Sequence, residues 1–121
     1  MAIVSIQSPV QLTDSQPEPD VALLKPRDDF YASATPRGDD VLLIVEVADG
    51  SLETAQTLKR EIYAEAGIPE YWIVNLVDSC VEVYHEPMAS GQYGVMKRLV
   101  GGGTLAPWRF SGWEVAVSDF L

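Results

Sequence analysis

Three polar residues stand where the sequence otherwise predicts buried apolar structure, and together they could hold a metal ion. Asp20 follows Pro19 and opens the apolar run Val21–Leu24, and Glu46 lies near the end of the apolar run Val41–Val47. A buried carboxylate is costly unless something compensates for its charge. Two carboxylates from neighbouring strands could share one Mg²⁺, which prefers hard oxygen ligands and usually takes only one or two carboxylates.

Lys59 supplies a third element of this pattern. It lies four residues after Ala55 and three before Ile62, within or beside the core-facing side of a predicted helix. A lysine aimed at the sheet could neutralise charge building on a phosphate or orient an attacking water. The alternative is that Asp20 is a loop acid, Glu46 an acid that reaches water, and Lys59 a snorkelling residue beside the core.

A mixed sheet with a helix would have to position these residues. Val41–Val47 is apolar on both faces, which predicts a central strand. A helix is predicted from about Ser51 to Gly67, with Pro69 just beyond. Its apolar stripe consists of Ala55, Leu58, Ile62 and Ala66. The other predicted strands are Ile3–Ile6, Val21–Leu24, Tyr71–Leu76, Cys80–His85 and Tyr93–Val100. This order of strands and helix predicts a mixed α/β (α+β) sheet that ends in an antiparallel meander.

Other chemistry-bearing residues favour structural roles. Gly101–Gly103 lacks the Lys-Ser/Thr of a phosphate loop and predicts a hairpin turn. His85 is predicted at the surface, and Cys80 is predicted to be a buried thiol. The tail from 105 to 121, which carries Trp108 and Trp113, is expected to cover one end of the core.

Composition excludes several classes of protein. The 121 residues include eight Lys+Arg and 18 Asp+Glu, so the net charge of −10 argues against a protein that coats nucleic acid. The single cysteine excludes an internal disulfide and a zinc site with several thiolates, and the single histidine excludes multi-histidine metal centres. The sequence shows no signal peptide and no apolar run long enough to span a bilayer, which predicts a cytoplasmic location.

Three longer blocks of sequence carry a resemblance to a known family. They are Glu18–Leu23, Val41–Asp49 and Lys59–Val74, the last containing Tyr-Ala-Glu-Ala-Gly-Ile-Pro-Glu-Tyr-Trp. They resemble the Uma-type family of restriction-endonuclease-like bacterial proteins, long catalogued as a domain of unknown function within the PD-(D/E)XK nuclease superfamily. The resemblance extends from Ile3 to Leu121 and implies a restriction-endonuclease-like core.

The resemblance also implies roles for individual residues. Asp20 matches the aspartate of the family's Pro-Asp motif and Glu46 the acid of its Glu-Val motif, which implies two ligands for Mg²⁺ or Mn²⁺. The backbone carbonyl of Val47 would be a further metal ligand. Lys59 matches the catalytic lysine, which this family carries on the helix instead of the strand. The implied substrate is DNA.

The sequence departs from the family pattern at several points. The family's usual N-terminal helix and first strands have no counterpart before Ile3, so residues 1–121 are expected to form a single domain with a truncated N-terminus. Ala55 stands at the position of a usual acid, and Asn75 at that of a usual aspartate. An unpaired sheet edge would then need cover, which predicts a homo-oligomer.

The sequence therefore predicts a Mg²⁺-dependent, nuclease-like phosphodiesterase domain that acts on DNA. One alternative is a catalytically weak or inactive homologue that serves as an interaction or regulatory module. Another is a domain on the same scaffold that binds something other than nucleic acid. The acidic charge predicts weak DNA binding by this chain alone, although a metal ion could supply local positive charge.

Overall fold

The computed structural model describes residues 3–100 and the backbone of two short strands at 104–105 and 115–116. The main sheet has six strands, and their order in space follows their order along the chain. They are β1 (Ile3–Ile6), β2 (Val21–Leu24), β3 (Val41–Ala48), β4 (Glu70–Asn75), β5 (Cys80–Pro87) and β6 (Tyr93–Val100). The short strands β7 (Thr104–Leu105) and β8 (Val115–Ala116) pair with each other. The predicted turn at 101–103 and the packing of Trp108 and Trp113 lie outside the described residues.

The directions of the strands confirm a mixed α+β sheet. Among the six strands of this sheet, β3 and β4 run parallel, and every other neighbouring pair is antiparallel. The predicted central strand is β3, and the predicted meander is β4–β5–β6. A parallel pair cannot be joined by a tight hairpin and needs a crossover connection, which is usually helical. In this chain a helical segment between β3 and β4 makes that connection.

The helical crossover begins after Ser51, as predicted. It consists of α1 (Leu52–Thr54), a π-helical turn (Ala55–Lys59) and α2 (Arg60–Glu65). Gly67 ends it with a φ of 75°, in the left-handed region that glycine adopts without steric cost. The Gly67 N–H donates to the Ala64 carbonyl and the Ile68 N–H to the Tyr63 carbonyl, which is a Schellman motif. Within the described residues, no helix is long and apolar enough to cross a membrane.

Apolar side chains cover both faces of the sheet. The helix-side face carries Ile44, Glu46 and Ala48 of β3, and the opposite face carries Leu43 and Val45. The helix-side cluster includes Val10, Leu12, Ala22, Leu24, Val41, Ile44, Ala48, Ala55, Tyr63, Ile68, Tyr71, Ile73 and Tyr84. The opposite cluster contains Leu23, Leu43, Val45, Trp72, Val74, Val81 and Val83. Every residue of β4 is buried, which makes β3 and β4 the centre of the core.

One member of the predicted helical stripe was placed wrongly. Leu58 is 58% exposed, whereas Ala55 is buried and Ile62 is half-buried. A π-helical turn closes with i→i+5 hydrogen bonds, so it advances the inward-facing side relative to a regular α-helix. The inward side therefore passes from Ala55 to Lys59 and Tyr63, and Leu58 is turned toward water.

The first strand, β1, lies at one edge of the six-stranded sheet. It pairs on one side with β2, from Ile3↔Leu24 to Ile6↔Val21. Its side chains alternate, with Ile3 packed against the helix-side cluster while Val4 and Ile6 are 59% and 66% exposed. Edge strands present backbone groups that can pair with another chain.

Candidate functional site

Glu46 lies at the centre of the candidate site. Its position on the helix-side face of β3 leaves it only 3% exposed. Three donors compensate for this burial: the Tyr63 hydroxyl lies 2.8 Å from Oε2, Lys59 Nζ lies 3.2 Å from the same oxygen, and the Asp20 N–H lies 3.3 Å from Oε1. Hydrogen bonds and an opposite charge offset the cost of burying a carboxylate.

Asp20 is held beside Glu46 by the pairing of β2 with β3. The antiparallel register places Val21 opposite Val45, and its continuation by one residue places Asp20 opposite Glu46. Asp20 Oδ2 accepts a hydrogen bond of 2.7 Å from the Val47 N–H, and the Asp20 carbonyl accepts one of 3.0 Å from the Gln7 N–H. Among the described residues, none donates a hydrogen bond to Asp20 Oδ1. The half-buried carboxylate is therefore fixed through one oxygen and open at the other.

Lys59 reaches the site from the helical crossover. It is the last residue of the π-helical turn, and its side chain is 37% exposed. Its ammonium group pairs with Glu46, while the side chain as a whole stays partly exposed. The structure thus brings Asp20, Glu46 and Lys59 together. Val47, which is 48% exposed, follows Glu46 in the chain, and its N–H donates to Asp20 Oδ2.

Sequence reasoning missed Tyr63 as a member of this group. Tyr63 is fully buried and lies four residues after Lys59, on the same side of the helical segment. Residues spaced by four face the same direction on a helix, so the spacing would have identified it. The hydrophobic pattern alone does not identify it, because a tyrosine counts as apolar in such a pattern.

Aromatic packing holds Tyr63 in place. Its ring meets that of Tyr71 in an edge-to-face contact, with centroids 5.1 Å apart and planes inclined at 62°. The Tyr71 hydroxyl donates to the Ala55 carbonyl at 2.9 Å and so ties the π-helical turn to β4. Burial raises the pKa of Tyr63 well above its ordinary value, and the negative charge of Glu46 raises it further. The neutral phenol is therefore favoured, and its O–H donates to Glu46.

A second buried carboxylate, also missed, lies on the same face of the sheet. Glu82 of β5 is 1% exposed. Its Oε2 accepts hydrogen bonds of 2.7 Å from both Gln56 and Asn75, and its Oε1 accepts one of 2.6 Å from Tyr84. Arg98 lies 3.9 Å away. Because both oxygens are occupied by donors, Glu82 links the helical crossover to the meander and has little acceptor capacity for a ligand.

The donor chemistry at Asp20 and Glu46 fits a magnesium-type ion. Within the part of the chain that the structure describes, no group of three or more His, Cys, Asp or Glu residues is arranged to hold a metal. Mg²⁺ does not need one, because it usually binds one or two carboxylates and completes its octahedron with water and substrate oxygens. Asp20 Oδ1 and Glu46 Oε1 can both accept a further contact, so this pair offers the two carboxylate oxygens that such an ion binds.

The mixed sheet with a helical crossover is a nuclease-like α+β fold, and comparisons with known proteins agree. A crystal structure of "a putative nuclease belonging to DUF820" from Anabaena variabilis superimposes with a TM-score of 0.66, at 13% sequence identity. The alignment covers 98% of this chain and 67% of that protein. No curated protein matches significantly. The chain belongs to the Uma2 family, described as "putative restriction endonuclease", whose model matches residues 1–118.

Proposed function

We propose that this chain is a Mg²⁺- or Mn²⁺-dependent nuclease domain that hydrolyses phosphodiester bonds in DNA. The observation that carries the proposal is the convergence of Lys59 on Glu46, 3.2 Å from Oε2, beside Asp20. Family membership and the nuclease-like fold support the same reaction class. A fold alone does not establish an activity, so the argument depends on the chemistry of this site.

Each site residue has a distinct proposed role. Asp20 and Glu46 would hold the metal ion, with the Val47 carbonyl as a further ligand. A bound Mg²⁺ would supply Lewis acidity toward a phosphoryl oxygen. Lys59 is partly exposed, so its ammonium group can turn from Glu46 to a phosphate oxygen and stabilise the negative charge that develops during hydrolysis.

The acidic surface sets a condition on how DNA would bind. The chain carries a net charge of −10, whereas proteins that bind DNA tightly through phosphates cluster Lys and Arg. Positive charge at the site would come from Lys59 and the metal ion together. We therefore expect weak association with DNA that depends on the divalent ion, and hydrolysis as the informative measurement.

A plasmid-nicking assay tests this function. Supercoiled DNA is incubated with the intact chain and Mg²⁺ or Mn²⁺, beside the variants Lys59→Ala and Lys97→Ala. Lys97 is an exposed lysine on β6 and serves as the matched control. We expect Lys59→Ala to lower nicking roughly 100-fold, as when one group that stabilises transition-state charge is removed, and Lys97→Ala to retain it. Absence of nicking by the folded wild-type chain, or full activity of Lys59→Ala, would overturn the proposal.

A second candidate function is a catalytically weak or inactive module that acts through interactions. The observation that favours it is Ala55, which is 2% exposed one helical turn before Lys59 and carries no carboxylate. If the family's usual acid at this position assists the reaction, its replacement by alanine weakens catalysis. A folded chain that binds Mn²⁺ but leaves plasmid intact under every metal condition would support this function over the first.

We further propose that two copies of this chain associate through β1. Its outer edge is a row of backbone donors and acceptors, flanked by the exposed side chains of Val4 and Ile6. Light scattering on the wild type and on Val4→Lys/Ile6→Lys tests the association. A dimeric mass that falls to that of a monomer in the variant supports it, whereas a monomeric wild type contradicts it.

A further inference from the structure

Two residues of the helical crossover anchor Glu46, and their environments differ. Lys59 and Tyr63 both contact Oε2, at 3.2 Å and 2.8 Å. The Lys59 side chain is 37% exposed and can move, whereas Tyr63 is fully buried. Once Lys59 turns toward a substrate phosphate, the tyrosine hydroxyl would be the remaining side-chain donor on that oxygen.

The structure holds the Tyr63 hydroxyl rigidly in place. Its backbone carbonyl accepts the Ile68 N–H in the Schellman motif at the end of α2, and its ring packs edge-to-face on Tyr71. The hydroxyl lies 2.8 Å from Glu46 Oε2 and donates its hydrogen bond to that oxygen.

The two oxygens of Glu46 consequently have different roles. Oε2 accepts contacts from the side chains of Tyr63 and Lys59, while Oε1 accepts one long hydrogen bond of 3.3 Å from the Asp20 N–H. A carboxylate anchored through one oxygen presents the other in a defined direction. Here the presented oxygen is the one on the Asp20 side of the site.

We propose that Tyr63 is a positioning residue, which anchors Glu46 through Oε2 so that Oε1 stays directed toward Asp20 as a ligand for a divalent cation. The inference rests on the proposed metal site and adds a residue to it. Outer groups that hydrogen-bond a ligating carboxylate orient it, and their removal typically costs about 10- to 100-fold in metal affinity.

The test compares Mn²⁺ binding to the intact chain and to two tyrosine variants, by calorimetry and by the electron paramagnetic resonance signal of free Mn²⁺. Tyr63→Phe deletes the hydroxyl that contacts Glu46. Tyr93→Phe deletes a hydroxyl that donates to the Ile68 carbonyl instead, and is the control. We expect Tyr63→Phe to weaken Mn²⁺ binding by roughly tenfold or more and Tyr93→Phe to leave it unchanged. Equal affinities in wild type and Tyr63→Phe would overturn the positioning role.

A metal-free measurement separates this inference from the proposed function. In a double-mutant cycle with Glu46→Gln, urea unfolding reports the coupling between Tyr63 and Glu46. A hydrogen bond to a charged group predicts non-additivity of roughly tenfold or more in the unfolding constant. Additive effects would overturn the anchoring. If coupling is found but the wild type binds no Mn²⁺, the metal site and the positioning role both fail, while Tyr63 remains a structural partner of Glu46.

Discussion

Glu46 of β3 and Glu82 of β5 flank the same residue, Ile73 of β4, so that two buried carboxylates lie on one face of the sheet with a single strand between them. Strands lie about 4.8 Å apart, which separates the two backbones by roughly 10 Å. Glu82 accepts short hydrogen bonds from neutral side chains on both oxygens, with Arg98 3.9 Å away. Glu46 pairs with Lys59 at 3.2 Å, and its Oε1 accepts only one long hydrogen bond. The two acids are thus similarly buried but differ in role. Glu82 is structural, and we propose that Glu46 binds a ligand.

Asn75 provides the first prediction, because it separates Glu82 from another acid. Its amide donates to Glu82 and to Asp78, and the Asp78 N–H donating to its carbonyl fixes the orientation of the amide. Asn75→Asp removes both donated bonds and places a second carboxylate against Glu82. We expect it to lower the free energy of unfolding by about 3 kcal/mol or more, measured by urea denaturation.

Two control variants accompany Asn75→Asp. Asp78→Asn, at a side chain that is 48% exposed, should change stability by less than about 1 kcal/mol. Adding Glu82→Gln to Asn75→Asp should restore part of the loss, since a glutamine amide can donate to the new carboxylate. A stable Asn75→Asp single variant would show that the amide bonds contribute nothing.

The five tyrosines predict a specific loss of stability at high pH. Burial raises the pKa of Tyr63, Tyr71, Tyr84 and Tyr93 far above the ordinary value near 10. A raised folded-state pKa favours the neutral phenol, so this contribution to stability is complete below about pH 10 and is lost as the pH rises further. We expect tyrosinate absorbance to rise first for Tyr31 and then, with unfolding, for the other four together. Gradual ionisation of all five in the folded chain would contradict this.

Cys80, the single cysteine, predicts a slow thiol reaction. It is 1% exposed, and burial raises the pKa of its thiol. The thiolate is the nucleophile, so a buried thiol with a raised pKa reacts only when the structure opens locally. We expect an aromatic disulfide reagent to label the native chain far more slowly than the urea-unfolded chain. Equal labelling rates would mean that β5 opens readily at this end.

Gly91 and Gly50 form a matched pair of glycines for a stability measurement. Gly91, in the turn between β5 and β6, has a φ of 86°, and a Cβ there would lie 2.7 Å from Glu61 Cγ of α2. Gly50 has no heavy atom within 4 Å of such a Cβ. Gly91→Ala should lower the free energy of unfolding by about 1–3 kcal/mol, whereas Gly50→Ala should leave it unchanged or raise it by up to about 1 kcal/mol. Similar effects at the two positions would contradict the close packing of this turn on α2.

The sequence predicted the strands and the crossover well because their apolar patterns are strong. The bounds of β3, β4 and β5 differ from the predicted ones by one or two residues. The phase of the helix was harder to predict, since a π-helical turn at Ala55–Lys59 depends on tertiary packing and moves Leu58 to the surface. Local propensity does not encode such a turn.

Some residues of the candidate site could be predicted from the sequence, and others could not. Asp20, Glu46 and Lys59 could be proposed from the cost of burying charge and from helical spacing, and the structure places them together. Tyr63 and Glu82 were missed because their roles depend on which groups meet across the fold. A tyrosine counts as apolar in a hydrophobic pattern until a carboxylate is found at its hydroxyl.

The meander and the candidate site differ in how far apart along the chain their contacts lie, and this difference has a consequence for the order of folding. Strands β4, β5 and β6 are joined by short turns, so this meander closes small loops at little entropic cost. The site instead needs β2 beside β3 and the crossover at 52–65 docked over both, and these contacts span long stretches of chain. Non-local contacts of this kind form slowly. A chain caught partway through refolding would thus have its meander before it has the environment of Glu46, so that recovery of Mn²⁺ binding should lag behind recovery of strand structure.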